Sequence, residues 1–344
     1  MKIVKNNKRI SVLGLIKFLA AIAIVFHHIC IGTRYVNLYI LVEFFFFVSG
    51  YFTFKHFRKK ENCGKTSEEK AKIAFSYTVN KFKPFIPFVL IAVILKYIIL
   101  LLRNNGGSVS SLLINMSYDA LLLNSQTTEY PWALWYLSAM FIIFPIFCYM
   151  CQTKRKYTLY IPLFTSVIIY YFNYFNGDIM GVKSLLRAFF GMSTGILVYA
   201  ASTYIRKNKS IKKYSPLPLV GAILSFALSI LCLYPTFANS SYQLFRNLYL
   251  ISTATWLSII LSQKTIISHI SSPFMNYLER LSMIIYILHM PIITIIKIVS
   301  DFLGLSSFTT IAICIISSIA ISAAINEMHK AITMSVYKQK HINQ

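Results

Sequence analysis

Acidic residues are scarce in this chain. Ten Asp and Glu stand against 34 Lys and Arg in 344 residues, and all charged residues together make up 13%. That is about half the share of an average soluble domain. A soluble fold of this length keeps a large wet exterior, which so few charges do not cover. Glycine (12) and proline (10) are few and follow no period, which excludes collagen-like and low-complexity chains. A hydrophobic content of 57% excludes disorder. Cysteine is sparse as well. Cys30, Cys148, Cys151, Cys232 and Cys314 lie in or beside apolar runs, and Cys63 stands alone in a basic loop. Cys148 and Cys151 have a CxxC-like spacing, but no His or second Cys pair is near them in the chain, so neither zinc nor a redox role is expected. What remains is an all-α polytopic membrane protein.

A transmembrane helix needs about 20 mostly apolar residues. Ten stretches meet that description, near 10–31, 38–54, 84–102, 132–151, 158–173, 185–204, 216–234, 247–263, 281–300 and 304–325. A shorter apolar piece at 112–123 reads as re-entrant or interfacial. The first span is too long, and lacks the small-residue cleavage site, to be a removable signal peptide. The sequence therefore predicts one integral-membrane domain over 1–330, a short basic cytoplasmic tail over 331–344, and a multi-pass protein of the cell membrane.

The net charge of +24 invites a nucleic-acid reading until the basic residues are placed. Of the 34, 26 fall before the first span, in the even-numbered gaps and in the tail. Seven fall at the opposite side and outer helix ends (Arg34, Lys96, Arg103, Lys183, Arg187, Arg246 and Lys297), and Lys17 lies inside the first span. The basic-rich side is the cytoplasmic one, which puts both termini in the cytoplasm. The charge is thus a topology signal and an attraction to anionic membrane lipids. No basic face with base-reading groups is visible, and no nucleic-acid partner is expected.

Ionisable groups inside spans are costly and mark function by default. In span one, Lys17 and His28 are eleven residues apart, about three full turns and about 16 Å of rise. They share a face, and His27 diverges by about 100°. In span two, Glu43 is the acidic residue deep in an apolar run that continues through Ser49, Gly50 and Tyr51. Span one leaves near 31 and span two re-enters near 38, so His28 and Glu43 are expected at similar depth. A carboxylate beside an imidazole fixes its tautomer and raises the basicity of the other nitrogen. Ser49-Gly50 also permits close helix approach. Trp132, Trp135 and Tyr136 open span four, where interfacial aromatics are ordinary. Ser282, Tyr286 and His289 fall on one face of span nine, where His289 either lines a cavity or bonds a neighbouring carbonyl. His27-His28 offers no pair at metal-ligand spacing, and no metal is expected.

These residues resemble the acyltransferase 3 family of integral-membrane acyltransferases. Gly14-Leu15-Ile16-Lys17 with His28 is similar to its first-span element, with Lys in place of Arg. Val42 through Tyr51 matches its second-span element, with Glu43 for Asp. Lys81-Phe82-Lys83-Pro84 departs from its Arg-x-x-Arg stretch, with Pro84 at the second Arg. Trp135-Tyr136-Leu137 and Ser282 through Pro291 match its later elements, with Ile284 and Ile285 where Ser-Tyr is common. The resemblance runs from residue 9 to about 291 and implies ten spans. It implies a membrane O-acyltransferase that takes acyl-coenzyme A, usually acetyl, from the cytoplasm as donor substrate, with no cofactor bound permanently. The acceptor it implies is a hydroxyl of a surface glycan or lipid-linked saccharide. Lys81 and Lys83 would then meet the phosphates of the donor, and Lys17 its pantetheine arm or thioester. His28, oriented by Glu43, would act as general base or, less economically, carry the acyl group. Ser49, Tyr51, Trp135, Tyr136, Ser282, Tyr286 and His289 would line the cavity. A homodimer is compatible with the sequence.

The main rival is a multi-span transporter or flippase. It predicts inverted repeats and broken helices near the midplane, and no such internal symmetry is found. A glycan polymerase would carry a long Arg-containing outer loop. A purely structural subunit would not bury Lys17, Glu43 and His28.

Overall fold

The computed structural model describes residues 10–30, 38–102, 109–123, 134–153, 155–175, 182–233 and 242–342. Trp132, the N-terminal Lys2, Lys5, Lys8 and Arg9, and Arg34, Arg103 and Lys154 lie outside the described residues.

Among the described residues the secondary structure is helical. The α-helices are α1 (Ser11–Ile29), α2 (Leu41–Phe57), α3 (Ser67–Phe82), α4 (Ile86–Leu102), α5 (Val109–Ala120) and α6 (Trp135–Cys151). They continue as α7 (Arg155–Phe175), α8 (Val182–Lys207), α9 (Pro216–Leu231), α10 (Tyr242–Leu261), α11 (Pro273–Phe302) and α12 (Ser307–Ile342). Every span expected from the sequence coincides with one of these. Seven are long and apolar enough to cross a bilayer: α1, α2, the continuous α3–α4 stretch, α8, α10, α11 and α12. The count of ten is therefore not reached on length alone. Trp135–Cys151, Tyr157–Ile169 and Pro216–Leu231 are apolar but shorter. Seventeen residues of helix rise about 25 Å, less than the roughly 30 Å hydrocarbon core.

Two elements differ from expectation for local reasons. The basic stretch 55–83 is not an open loop, because α3 forms within it. Thr66 caps its first turn, accepting from Glu69 N at 3.2 Å, while the Glu69 carboxylate accepts from Thr66 N at 3.3 Å. That reciprocal box satisfies two otherwise orphaned amides. Gln152, at the end of α6, then ties α3 down. Its Oε1 accepts from Gly64 N at 2.9 Å and its Nε2 donates to Lys70 O at 3.0 Å. At the other end of the chain α12 runs on to Ile342, through most of the segment expected as a tail.

The chain forms two compact units. The first carries α2, α3 and α6 to α10. The second carries α1, α4, α11 and α12, and the short α5 straddles the boundary. In the first unit, α2 and α8 run parallel, with Glu43 beside Arg187, Phe46 beside Gly191 and Tyr51 beside Gly195. They meet backbone to backbone: a Cβ at Gly50 would run into the Met192 carbonyl, and one at Gly195 into the Phe47 carbonyl. Small residues make such approach feasible in a membrane, where packing drives association.

In the second unit, α1 and α11 also run parallel. Gly14 lies against the Met275 carbonyl, Lys17 against Glu279, and His28 against His289. Lys297 closes the series by donating to Ile29 O at 3.0 Å. Between the polar pairs lies an apolar cluster of Ala21, Val25, Ile29, Leu281, Ile285, Ile293 and, from α12, Cys314.

Candidate functional site

In the second unit, two of the expected residues on α1 acquire partners from α11. Lys17 Nζ lies 2.5 Å from Glu279 Oε1, with side-chain exposures of 16% and 19%. A buried charge in a membrane span must be paired, and Glu279 supplies the pair from the first third of α11. The sequence scan passed over it, because Glu279 precedes the apolar run at 281. Ser282 is buried and donates to Glu279 O at 2.8 Å, a local helix bond.

One wall-to-wall step along α1, His28 meets His289, with ring centroids 5.1 Å apart. His289 is fully buried, and its Nδ1 lies 2.7 Å from the Tyr286 carbonyl oxygen. A carbonyl only accepts, so Nδ1 carries the proton and Nε2 holds the lone pair. Of the two expectations for His289, bonding to a neighbouring carbonyl is thus the one observed. That bond also does for His289 what a carboxylate does in other bases: it fixes the tautomer. His289 Nε2 and His28 Nδ1 are buried and have no hydrogen-bond partner among the described residues. Tyr286, also buried, lies with its ring 5.7 Å from that of His289.

In the first unit, Glu43 is 1% exposed and sits in the first turn of α2, where the helix dipole favours a carboxylate. Its Oε1 accepts from Arg187 Nε at 2.8 Å. Glu43 and His28 belong to different units; within its own unit Glu43 is partnered by Arg187 on α8. Sequence reasoning had assigned Arg187 to the outer helix ends as a topology charge. The Arg187 guanidinium lies 4.8 Å over the ring of Trp135, the first residue of α6, and 5.8 Å from the ring of Tyr39. Tyr136 is buried, its ring 4.5 Å from that of Phe46. Ser49 is half-buried next to Gly50 at the α2–α8 contact, and Tyr51 is buried with its ring 5.7 Å from Tyr199.

Lys81 and Lys83 are exposed where α3 turns into α4. Among the described residues no group of three or more His, Cys, Asp or Glu side chains is placed to hold a metal ion.

The sequence matches the family described as an acyltransferase domain over residues 10–327, nearly its whole length. No curated protein and no solved structure matches it.

Proposed function

The chain belongs to the acyltransferase 3 family, and on that premise we propose that this membrane acyltransferase moves an acyl group, acetyl in the first instance, from cytoplasmic acyl-coenzyme A to a hydroxyl of a cell-envelope glycan or its lipid-linked precursor. The observation that carries this reading is the His28–His289 pair: two imidazoles in contact, one half-buried and the other fully buried with its tautomer fixed, each with a buried ring nitrogen unsatisfied among the described residues. That is the equipment of general-base catalysis, worth typically 10²–10⁴-fold. His28 takes the proton of the acceptor hydroxyl, with His289 Nε2 as a second basic nitrogen beside it. The freed oxygen attacks the thioester carbonyl, the carbon–sulfur bond breaks, and the coenzyme thiolate leaves with the proton the histidines hold. Lys17, held by Glu279 about 16 Å of helix rise from His28, meets the pantetheine arm of the donor, and Lys81 and Lys83 offer point charges to its phosphates.

The helix directions support ten spans with both termini cytoplasmic. Parallel α1 and α11 require an odd number of additional crossings among α6, α7 and α9. Parallel α2 and α8 require that α6 and α7 both cross or neither does. Together these directions count α9 as a span although it has only 16 residues. They leave α6 and α7 as a pair, and α6 runs alongside α2 from Phe46–Tyr136 toward Gln152. Local bilayer thinning accommodates helices of this length. With the basic-rich side inward, the cell membrane is the expected location.

The test is incubation of membranes carrying the protein with labelled acetyl-coenzyme A, followed by isolation of the glycan. Label should enter the wild-type glycan and fall at least about 10²-fold in His28→Ala and His289→Ala at equal protein level. Equal labelling by the wild type and both variants overturns the reading.

A further inference from the structure

Four helices of the first unit begin at the same end: α2, α6 and α8 contribute Glu43, Trp135 and Arg187, and Arg246 of α10 acts electrostatically on Tyr39. In the ten-span topology these are the outward ends. The cluster holds two unmet hydrogen-bonding atoms. Glu43 uses Oε1 for Arg187, and its Oε2 is buried without a partner; Arg187 uses Nε, and its Nη2 is likewise buried without a partner among the described residues. Leaving such groups unpaired costs about 1–3 kcal/mol each, more for charged ones. An ion pair kept only for structure would close both ends, as the bidentate fork of Arg allows. Among the described residues the fork is used once, and an unmet acceptor and an unmet donor remain on the same pair.

We propose that the Glu43–Arg187 pair is a binding subsite for the acceptor, anchoring a neutral hydroxyl-rich ligand, a glycan, from the outer side. This rests on the acyltransferase reading above and adds to it the residues that hold the acceptor. A sugar hydroxyl is both donor and acceptor, so it can donate to Glu43 Oε2 while accepting from Arg187 Nη2, or two adjacent hydroxyls can divide the work. A carboxylate ligand or a phosphate fits less well, because Glu43 lies against the guanidinium and repels an anion. The pair is also rigid. Trp135 beneath the guanidinium and Tyr39 beside it hold Arg187 in place, and both rings are half-exposed, as the mouth of a saccharide subsite requires. Arg187 is thus an anchoring residue, and its loss should affect the acceptor and spare the donor.

The experiment uses the full chain in detergent, with oligosaccharide released from the source cell's own surface glycan and chemically de-O-acylated. Binding is read by tryptophan fluorescence without any donor, and transfer from labelled acetyl-coenzyme A is read separately. Arg187→Gln and Glu43→Gln should each weaken oligosaccharide binding at least about tenfold. Both should raise the KM for oligosaccharide and leave the KM for acetyl-coenzyme A within about twofold of the wild type. Arg187→Lys keeps the charge and a single donor, guards against misfolding of the Gln variants, and should fall between. Unchanged oligosaccharide binding in the Arg187 variants overturns the proposal, as does competition by inorganic phosphate at the same site. A wild type that binds the oligosaccharide but transfers no acyl group defeats the acyltransferase reading and leaves the subsite standing.

Discussion

The Lys17–Glu279 pair allows the structural and the chemical roles of Lys17 to be separated by reversing it. The two atoms are 2.5 Å apart, a gross attraction of about 7 kcal/mol at an effective dielectric of about 20. Most of that is offset by the cost of taking both ions out of water. What a mutation measures is the penalty of leaving one of them alone, about 3–5 kcal/mol for a fully buried pair. Exposures of 16% and 19% let some solvent reach each end, which brings that penalty to about 2–3 kcal/mol, a lower bound for Lys17→Glu or Glu279→Lys alone because each sets two like charges side by side. In a chain of this size that corresponds to at least about 3–4 °C in the temperature at which half the detergent-solubilised protein stays monodisperse after brief heating.

The double reversal, Lys17→Glu with Glu279→Lys, should recover most of that loss. Coupling of about 2 kcal/mol is then the signature of a real pair. Acyl transfer should stay low in the double variant, because the cation now projects from α11 and the α1 position that meets the donor's pantetheine arm holds a carboxylate. Heat losses that simply add in the double variant would refute the pairing. Full recovery of transfer would refute a donor contact for Lys17 and reduce its role to the ion pair.

Gly195→Ala should lower the yield of folded protein by more than about 1–3 kcal/mol implies for ordinary overpacking. The new Cβ meets the backbone of Phe47 and Tyr51, which cannot step aside; the fraction recovered as a monodisperse species reads it. Lys81→Gln with Lys83→Gln should raise the KM for acetyl-coenzyme A a few-fold at low ionic strength with little change in kcat. The effect should fade near 1 M salt, where the Debye length is about 3 Å. Cys63 lies outside the spans and donates to Phe57 O at 3.0 Å, and burial raises its thiol pKa against the opposing pull of Arg58 and Lys70. A raised pKa means less thiolate at any given pH, so an impermeant thiol reagent should label Cys63 more slowly at pH 7 than an exposed cysteine peptide. The gap should close as the pH rises. Labelling from the extracellular side of intact cells would contradict the topology.

The sequence made the membrane, the apolar segments and several polar exceptions legible, because an ionisable residue in an apolar run is costly wherever the chain takes it. It did not make the partners legible. Glu43 stood out as a buried acid, but Arg187 falls within the apolar run 185–204 and was counted with the topology charges. Weighing it by depth, as Glu43 was weighed, would have offered the pair. Glu279 sat two residues before an apolar window and escaped for the same reason. The one-face spacing of Ser282, Tyr286 and His289 was readable. That this face turns His289 toward His28 was not, since the register of α1 against α11 is set by Gly14 on Met275 and by packing around Ile285, which no local pattern encodes. Helix α3 was hidden by the search for 20-residue apolar windows, although Thr66 and Glu69 spell a capping box.

How completely each buried polar group is satisfied separates scaffold from chemistry within each unit. Lys17 and Glu279 hold each other through the ordinary logic of pairing a charge in a membrane span. Among the described residues Glu43 and Arg187 bond through one atom each and keep one atom each unmet. His289 spends its proton on a backbone carbonyl, and it and His28 keep buried ring nitrogens unmet. A fold selected for stability alone removes such atoms, since apolar replacements of the same shape cost less than an unpaired buried polar group. Their persistence in both units, bases in one and a donor–acceptor pair in the other, fits a protein that must both deprotonate a hydroxyl and hold the molecule that carries it.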